Sequence, residues 1–257
     1  VSGSREAEGL RRRISQSIIT EISHGFDSRF SFTGLISYNR QHRELRDRNS
    51  EGSRQELRTG GMGDAVLLLT YTFVPLSFAS QRQLSAGIGV KAPTGVSDLK
   101  NNGVLLPADM QPGTGAWDSI FWVYVYQGML PVVRGGMMIN ASYRLTGKSD
   151  RFEQSPASFL QYEFGNELVG SIGVTMQVVS PFSLAFILRY RHTESDRNEY
   201  SSIPNTGGHW VCAVPGISLN RGAFSLQISG QLPLYRRLNG IQLTTSWTLS
   251  TAIYYHL

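Results

Sequence analysis

Eleven charged residues stand where an alternating pattern puts polar side chains: Glu21, Arg29, Asp64, Lys91, Asp118, Arg134, Arg144, Glu163, Glu167, Arg189 and Arg191. Both signs occur in similar number, so two kinds of chemistry are open to them. Set around water, they would select solutes by charge; set against one another, they would form ion pairs that satisfy charges withdrawn from bulk water. Arg189 and Arg191 lie two residues apart, on one face of an extended chain, and are the best candidates for an anion-attracting patch. Catalytic chemistry has less to stand on. The histidines, His24, His42, His192, His209 and His256, fall in no triad and in no metal-ligand spacing, so neither an enzyme nor a metal centre is expected. Cys212 is the one cysteine; it can form no intrachain disulfide and reads as a small packed side chain. The run GIGVKAPTG at 87–95 has the glycines of a phosphate loop but neither the Gly-Lys-Ser/Thr ending nor a following helix, and no cofactor is expected.

The elements that must position these residues are strands. Residues 240–257 alternate without a break: Leu243, Thr245, Trp247, Leu249, Thr251, Ile253, Tyr255 and Leu257 share one face, and small or hydroxylated residues share the other. Ten earlier segments alternate in the same way, at 14–24, 30–38, 62–74, 83–92, 114–126, 132–146, 158–178, 182–191, 208–219 and 223–235. Their connections alternate as well. The polar stretches 41–61, 93–113, 147–156 and 192–207 are long; 25–28, 75–82, 127–131, 179–181 and 220–222 are short, and a brief 236–239 link reaches the final strand.

Composition narrows the class. A mean hydropathy of −0.17 with 40% hydrophobic residues has the look of a soluble chain, but a sheet that meets lipid with every second residue has the same average. The longest apolar runs, 65–69 and 121–126, fall far short of the roughly 20 residues a spanning helix needs. The 27 glycines suit a twisted, closed sheet. The net charge of +5 raises the question of nucleic acid, but the basic residues are scattered and form no stripe, so nucleic acid is not an expected partner. Tyr38, Tyr71, Phe73, Trp117, Tyr190, Trp247 and Tyr255 cluster toward strand ends, as interfacial girdles do.

One face apolar, the other polar, and connections that alternate long and short predict an all-β fold: a transmembrane antiparallel up-and-down β-barrel of the outer membrane, with long extracellular loops and short periplasmic turns. Residues 1–257 form one barrel domain, with 1–12 the tail of an extracellular loop. Eleven strands are readable, and since single-chain bacterial barrels have even strand numbers, a further strand is expected before residue 1, making twelve. With the apolar face toward lipid, the charged residues named above line the lumen; facing lipid at the midplane, each would cost about 2–4 kcal/mol.

Several punctuated motifs resemble the outer-membrane transporter family named after the meta-pathway of phenol degradation. They are Gly63-Asp64, Lys91-Ala92-Pro93-Thr94-Gly95, Gln111-Pro112-Gly113-Thr114-Gly115-Ala116-Trp117-Asp118, Val214-Pro215-Gly216, and Pro233-Leu234-Tyr235 with Asn239-Gly240-Ile241-Gln242-Leu243. The resemblance runs from the second strand to the C-terminus; it departs in the unseen first strand and in ending on Leu257 where such barrels end on an aromatic. It implies a barrel and a transport role. The expectation is therefore a channel for passive passage of small solutes, with a non-conducting accessory barrel of a larger outer-membrane complex as the alternative. Expected partners are outer-membrane lipid and lipopolysaccharide, with other outer-membrane or periplasmic subunits in the second case.

Overall fold

Alternating apolar and polar residues separate onto two faces only when the chain is extended, and this chain is extended through most of its length. A computed structural model describes residues 11–46, 54–78, 80–129, 134–152 and 161–256. In chain order the strands are β1 (Arg11–Gly25), β2 (Phe30–Arg46), β3 (Arg54–Met62), β4 (Ala65–Val74), β5 (Arg82–Ala92), β6 (Lys100–Asn101), β7 (Val104–Leu105), β8 (Asp118–Gly128), β9 (Gly135–Leu145), β10 (Lys148–Ser149), β11 (Tyr162–Glu163), β12 (Glu167–Val179), β13 (Phe182–Thr193), β14 (Gly208–Arg221), β15 (Phe224–Leu238) and β16 (Thr248–Tyr255). Eleven of them form one antiparallel wall in the order β1-β2-β4-β5-β8-β9-β12-β13-β14-β15-β16, and β3 pairs with the far half of β2. The wall curls as in an outer-membrane barrel.

The convex face carries Ile18, Ile22, Ile36, Leu69, Ile88, Phe121, Ile139, Ile172, Phe186 and Ile253, all exposed, so the outside of the wall is a continuous apolar band. The buried apolar side chains lie elsewhere. Leu106, Met110, Ala116 and Phe152 are packed within the long connections, and Cys212, Ala213 and Val214 form a buried patch on β14. The long connections at one end are thus folded bodies in their own right. Gln111 closes the first, accepting from Leu99 N–H and donating to the carbonyls of Leu99 and Leu106, each at 3.0 Å. The rings of Phe152, Tyr162 and Phe164 pack edge to face in the next. Tyr162 then donates to Asp196 Oδ2 at 2.5 Å, tying that connection to its neighbour.

Four expectations are corrected. Residues 41–46 and 54–62 are a hairpin, not a solvated loop: β2 runs on to Arg46 and pairs with β3 in the register His42↔Arg58 and Glu44↔Glu56. Its alternation is of charges, not of apolar residues, so hydrophobic periodicity does not reveal it. Residues 47–53 lie outside those described, as do 1–10 of the predicted tail, whereas Arg11 and Arg12 already belong to β1. The final strand begins at Thr248, so the 236–239 link is in fact the longer connection 239–247. Alternation continues through it, but its groups bond to loops: Ile241 N–H donates to Asn205 Oδ1 and Gln242 Nε2 donates to Gly207 O. The seventh predicted strand begins at Glu167, because the chain turns at 164–166, where Gly165 N–H donates to Asp196 Oδ1 at 2.8 Å; residues 153–160 are outside the described set.

Candidate functional site

The strand registers set one charged residue per strand along the inner rim at the long-connection end. Asp64 closes the turn before β4, Lys91 lies near the end of β5, Asp118 opens β8, Arg144 lies near the end of β9, Glu167 opens β12 and Arg191 lies near the end of β13. Lys91↔Asp118 and Arg144↔Glu167 are direct cross-strand partners. The charges alternate in sign along the rim. Lys91 Nζ is 3.2 Å from Asp64 and 2.8 Å from Asp118; Arg144 is 3.8 Å from both Asp118 and Glu167; Arg191 is 2.5 Å from Glu167 and its guanidinium lies 5.3 Å from the centre of the Trp210 ring on β14. At its deep end, the side chains of Lys91, Asp64 and Asp118 are only 7%, 4% and 2% exposed. Charges this buried persist because each is paired and hydrogen-bonded.

Asp64 also holds a loop. Its carboxylate accepts from Gly95 N–H at 3.0 Å, Thr114 N–H at 2.8 Å and the Thr114 hydroxyl at 2.7 Å, and Thr114 Oγ1 is in turn bonded to Lys91 Nζ. A side chain at Gly95 or Gly113 would place its Cβ 2.8 Å from Asp64 Oδ1, so only glycine lets both backbones approach the carboxylate. Residues 93–117 leave this anchor and cross the inside of the wall. Asn39 Nδ2 donates to Pro112 O and Gln41 Nε2 to Asp109 O, and the Asp109 carboxylate pairs with Arg43 and, at 3.6 Å, with Arg13. The loop therefore lines the β1–β2 side of the lumen.

The β13–β16 side is different. A cavity of about 260 Å³ is bordered there by Arg189, Gln227, Ser229, Gln231, Thr248 and Ser250. Cross-strand pairs Gln231↔Thr248 and Ser229↔Ser250 make this a wall of amides and hydroxyls. Arg189 donates to Gln231 Oε1 at 2.9 Å and has no carboxylate partner among the described residues. On β8 the inward residues are Trp122, Tyr124 and Tyr126, which share the face of Asp118; the Trp122 indole lies over Gly87 and the Tyr126 ring over Gly136, where a Cβ would collide with them.

The same fold occurs in an outer membrane channel of Pseudomonas putida F1. Its crystal structure superposes with a TM-score of 0.69 over 98% of this chain and 85% of the channel, at 12% sequence identity. No family model and no curated protein matches the sequence.

Six of the candidate residues, Asp64, Lys91, Asp118, Arg144, Glu167 and Arg191, come together in the ladder, and Arg189 stands apart on the hydroxyl wall. Four others lie away from it. Glu21 is on the inward face of β1 and accepts from Ser23 Oγ. Arg29 sits in the β1–β2 turn against Tyr71 OH at 3.2 Å, and Arg134 precedes β9 in a short turn; both belong to the short-turn end and not to a strand wall. Glu163 lies on the loop strand β11, where its backbone pairs with Arg197, so it too is off the barrel wall. Sequence reasoning missed Arg13, Arg43 and Asp109, whose contact joins a strand to a loop, and it missed the inward rings of β8. For those rings a signal existed: Trp122, Tyr124 and Tyr126 alternate with Phe121, Val123 and Val125, so both faces of β8 are apolar and one must point inward.

Tyr162 in the loop layer is held neutral well above the ordinary tyrosine range, first by burial and then by its bond to the Asp196 carboxylate. On the outer face of the β2–β3 hairpin, ligand atoms of His42, Glu44 and Glu56 lie within 4.8 Å of one another, with the Arg58 guanidinium 3.2 Å from Glu56.

Proposed function

We propose that this protein is an outer-membrane channel for passive passage of small solutes, with its long connections extracellular, its short turns periplasmic, and membership in the phenol-pathway transporter family that its motifs resemble. The observation that carries the reading is the division of the lumen. The loop 93–117 fills the β1–β2 side, while the β13–β16 side keeps a cavity walled by neutral hydrogen-bonding groups and one uncompensated guanidinium, Arg189. Neutral amides and hydroxyls replace hydration without holding a solute tightly, which passage requires. The ladder, with three carboxylates and three cations, contributes little net field. Arg189 therefore sets a preference for anions, and Arg191, bound to Glu167 and stacked on Trp210, serves the ladder instead.

The motif resemblance supports the family reading in a specific way. Gly63-Asp64, Thr94-Gly95 and Gly113-Thr114, far apart in the chain, meet at the Asp64 carboxylate. The test is single-channel conductance of the purified full-length protein in planar bilayers, with reversal potentials across a salt gradient. Ohmic steps whose anion preference falls on Arg189→Ala and holds on Arg191→Ala support the channel and its filter. Silence from protein shown to be folded by heat-modifiable gel migration transfers the reading to the accessory barrel. One feature of the outer wall favours that alternative: Ala141 and Gly170 are cross-strand partners, and nothing stands within 4 Å of a Cβ at Gly170, which leaves a flat strip.

A further inference from the structure

The outer face of the β1–β2–β3 ridge changes character abruptly. Up to the level of Ile18, Tyr38 and Met62, which are adjacent across the three strands, it is dominated by exposed Ile18, Ile22, Phe30, Phe32, Ile36, Tyr38 and Met62, interrupted by Thr20, His24 and Gly34. One layer higher the row is Gln16, Arg40 and Gly60; above it comes Ile14, His42 and Arg58, and above that Arg12, Glu44 and Glu56. Arg40 and Arg58 are diagonal neighbours on one face of an antiparallel pair, within reach of a common ligand for side chains of that length. Between them, opposite Arg40, stands Gly60. A Cβ there would lie 3.4 Å from Tyr38 OH and 4.0 Å from Arg40 Cγ, so the position is a gap in the surface floored by backbone and bordered by the tyrosine hydroxyl.

The charges on this face are not balanced. Among its described side chains, three exposed guanidiniums, of Arg12, Arg40 and Arg58, stand with the carboxylates of Glu44 and Glu56. Glu56 is 3.2 Å from Arg58 and 3.5 Å from His42, whereas Arg12 and Arg40 have no ion-pair partner among the described residues. Arg13, Gln41 and Arg43, which alternate with these residues, point the other way onto the inner loop, so the cations named here face outward. In an outer-membrane barrel the surface just above the aromatic border meets the phosphorylated glucosamine headgroups of the outer leaflet.

We propose that the face formed by Arg40, Arg58, the Tyr38 hydroxyl and the Gly60 gap docks a phosphate of lipid A, with the acyl chains lying on the Ile18–Tyr38–Met62 surface below. The proposal rests on the outer-membrane reading given above. Two guanidiniums suit a phosphate because each presents paired N–H donors to it. The glycine admits the headgroup to the strand surface, and the apolar layer beneath fixes its depth.

The test is native mass spectrometry of the full-length protein, stripped of endogenous lipid in detergent and titrated with bisphosphorylated lipid A, with its dephosphorylated form, and with inorganic phosphate as competitor. The wild type is expected to retain bisphosphorylated lipid A. Arg40→Gln/Arg58→Gln should lower the retained fraction at least roughly tenfold, as the loss of two charge-assisted contacts implies. Gly60→Leu, which fills the gap without altering charge, should do the same, while Arg82→Gln at the opposite end should change nothing. Equal retention by both ridge variants, equal retention of the dephosphorylated lipid, or displacement by millimolar phosphate would each overturn the proposal. Conductance in bilayers of neutral phospholipid tests the channel without lipid A, so loss of the one reading is distinguishable from loss of the other.

Discussion

Lys91 is the residue on which the most contacts of the ladder converge. Its ammonium is shared between Asp64 and Asp118 and bonded to Thr114, in a place where all three charged side chains are almost fully buried. Lys91→Met keeps the length and removes the charge, leaving Asp64 without a cation and Asp118 with only Arg144 at 3.8 Å; the expected loss is about 3–5 kcal/mol. It should appear as a lowered midpoint for the compact, heat-modifiable form in denaturant, and adding Asp118→Asn to the same protein should restore part of it. If the single variant unfolds with the wild type, the buried pairs are not what fixes this rim. Asp27, in the β1–β2 turn, makes a separate case for pH. Its carboxylate accepts from Phe30 N–H and Arg29 N–H, each at 2.7 Å, and these bonds hold its pKa below the ordinary aspartate value. A lowered folded-state pKa gives stability that is present above the unfolded value, about 4, and is lost as pH falls through the folded one. The difference in unfolding midpoint between wild type and Asp27→Asn should therefore shrink as pH drops from neutral into that acid range, and a gap that stays constant would show that the charge on Asp27 is not responsible.

At the scale of elements, the connection 93–117 is held at two points of unequal strength. The Asp64 anchor is buried and glycine-lined, but the Asp109 contact with Arg13 and Arg43 is on a carboxylate side chain that is 54% exposed and open to screening. Asp109→Asn should free the tip and leave the base in place, giving larger and noisier current steps in the bilayer, and raising salt should shift the wild type toward the same behaviour. Current traces that match the wild type at every salt concentration would mean the tip does not narrow the path. The same element shows where sequence reading stops. The eleven wall strands were legible because apolar groups on one side and polar groups on the other impose a period of two. Loop 93–117 obeys no period: its position depends on Asn39, Gln41 and Arg43 reaching it from a distant strand. The β3 hairpin was hidden for the opposite reason, since both its faces carry polar side chains, those of Gln41 and Arg43 turned onto the loop, and no apolar contrast marks the alternation. Of the candidate site, the ladder residues were recognisable by type and face, but their pairing required the register, and Glu163 was misplaced because Gly165 ends the alternation before β12 begins.

At the scale of the whole molecule, direction constrains how the wall can close. Antiparallel neighbours reverse at every step, so in an eleven-strand wall the first and last strands, β1 and β16, run the same way. They cannot form the antiparallel pair that every other seam in the wall uses, and among the described residues neither has a second neighbour. Backbone donors and acceptors left open in hydrocarbon cost several kcal/mol each, so a spanning sheet must close. One strand running in the opposite sense between β1 and β16 satisfies both edges and brings the wall to the even number of outer-membrane barrels. Strand spacing makes this measurable: with one strand between them, facing positions on β1 and β16 lie roughly 10 Å apart across the seam, and with direct contact about 5 Å. Cysteines at Ser15, Ser17 or Ser23 on β1, each combined with one at Ser250 on β16 so that the shortest separation identifies the facing pair, carry short cross-linkers or spin labels on the inward face without touching the ladder. In the full-length protein in lipid, the larger separation is expected, together with protection of the β1 amides from hydrogen exchange. The shorter separation, or β1 amides that exchange as freely as an open edge, would exclude the intervening strand.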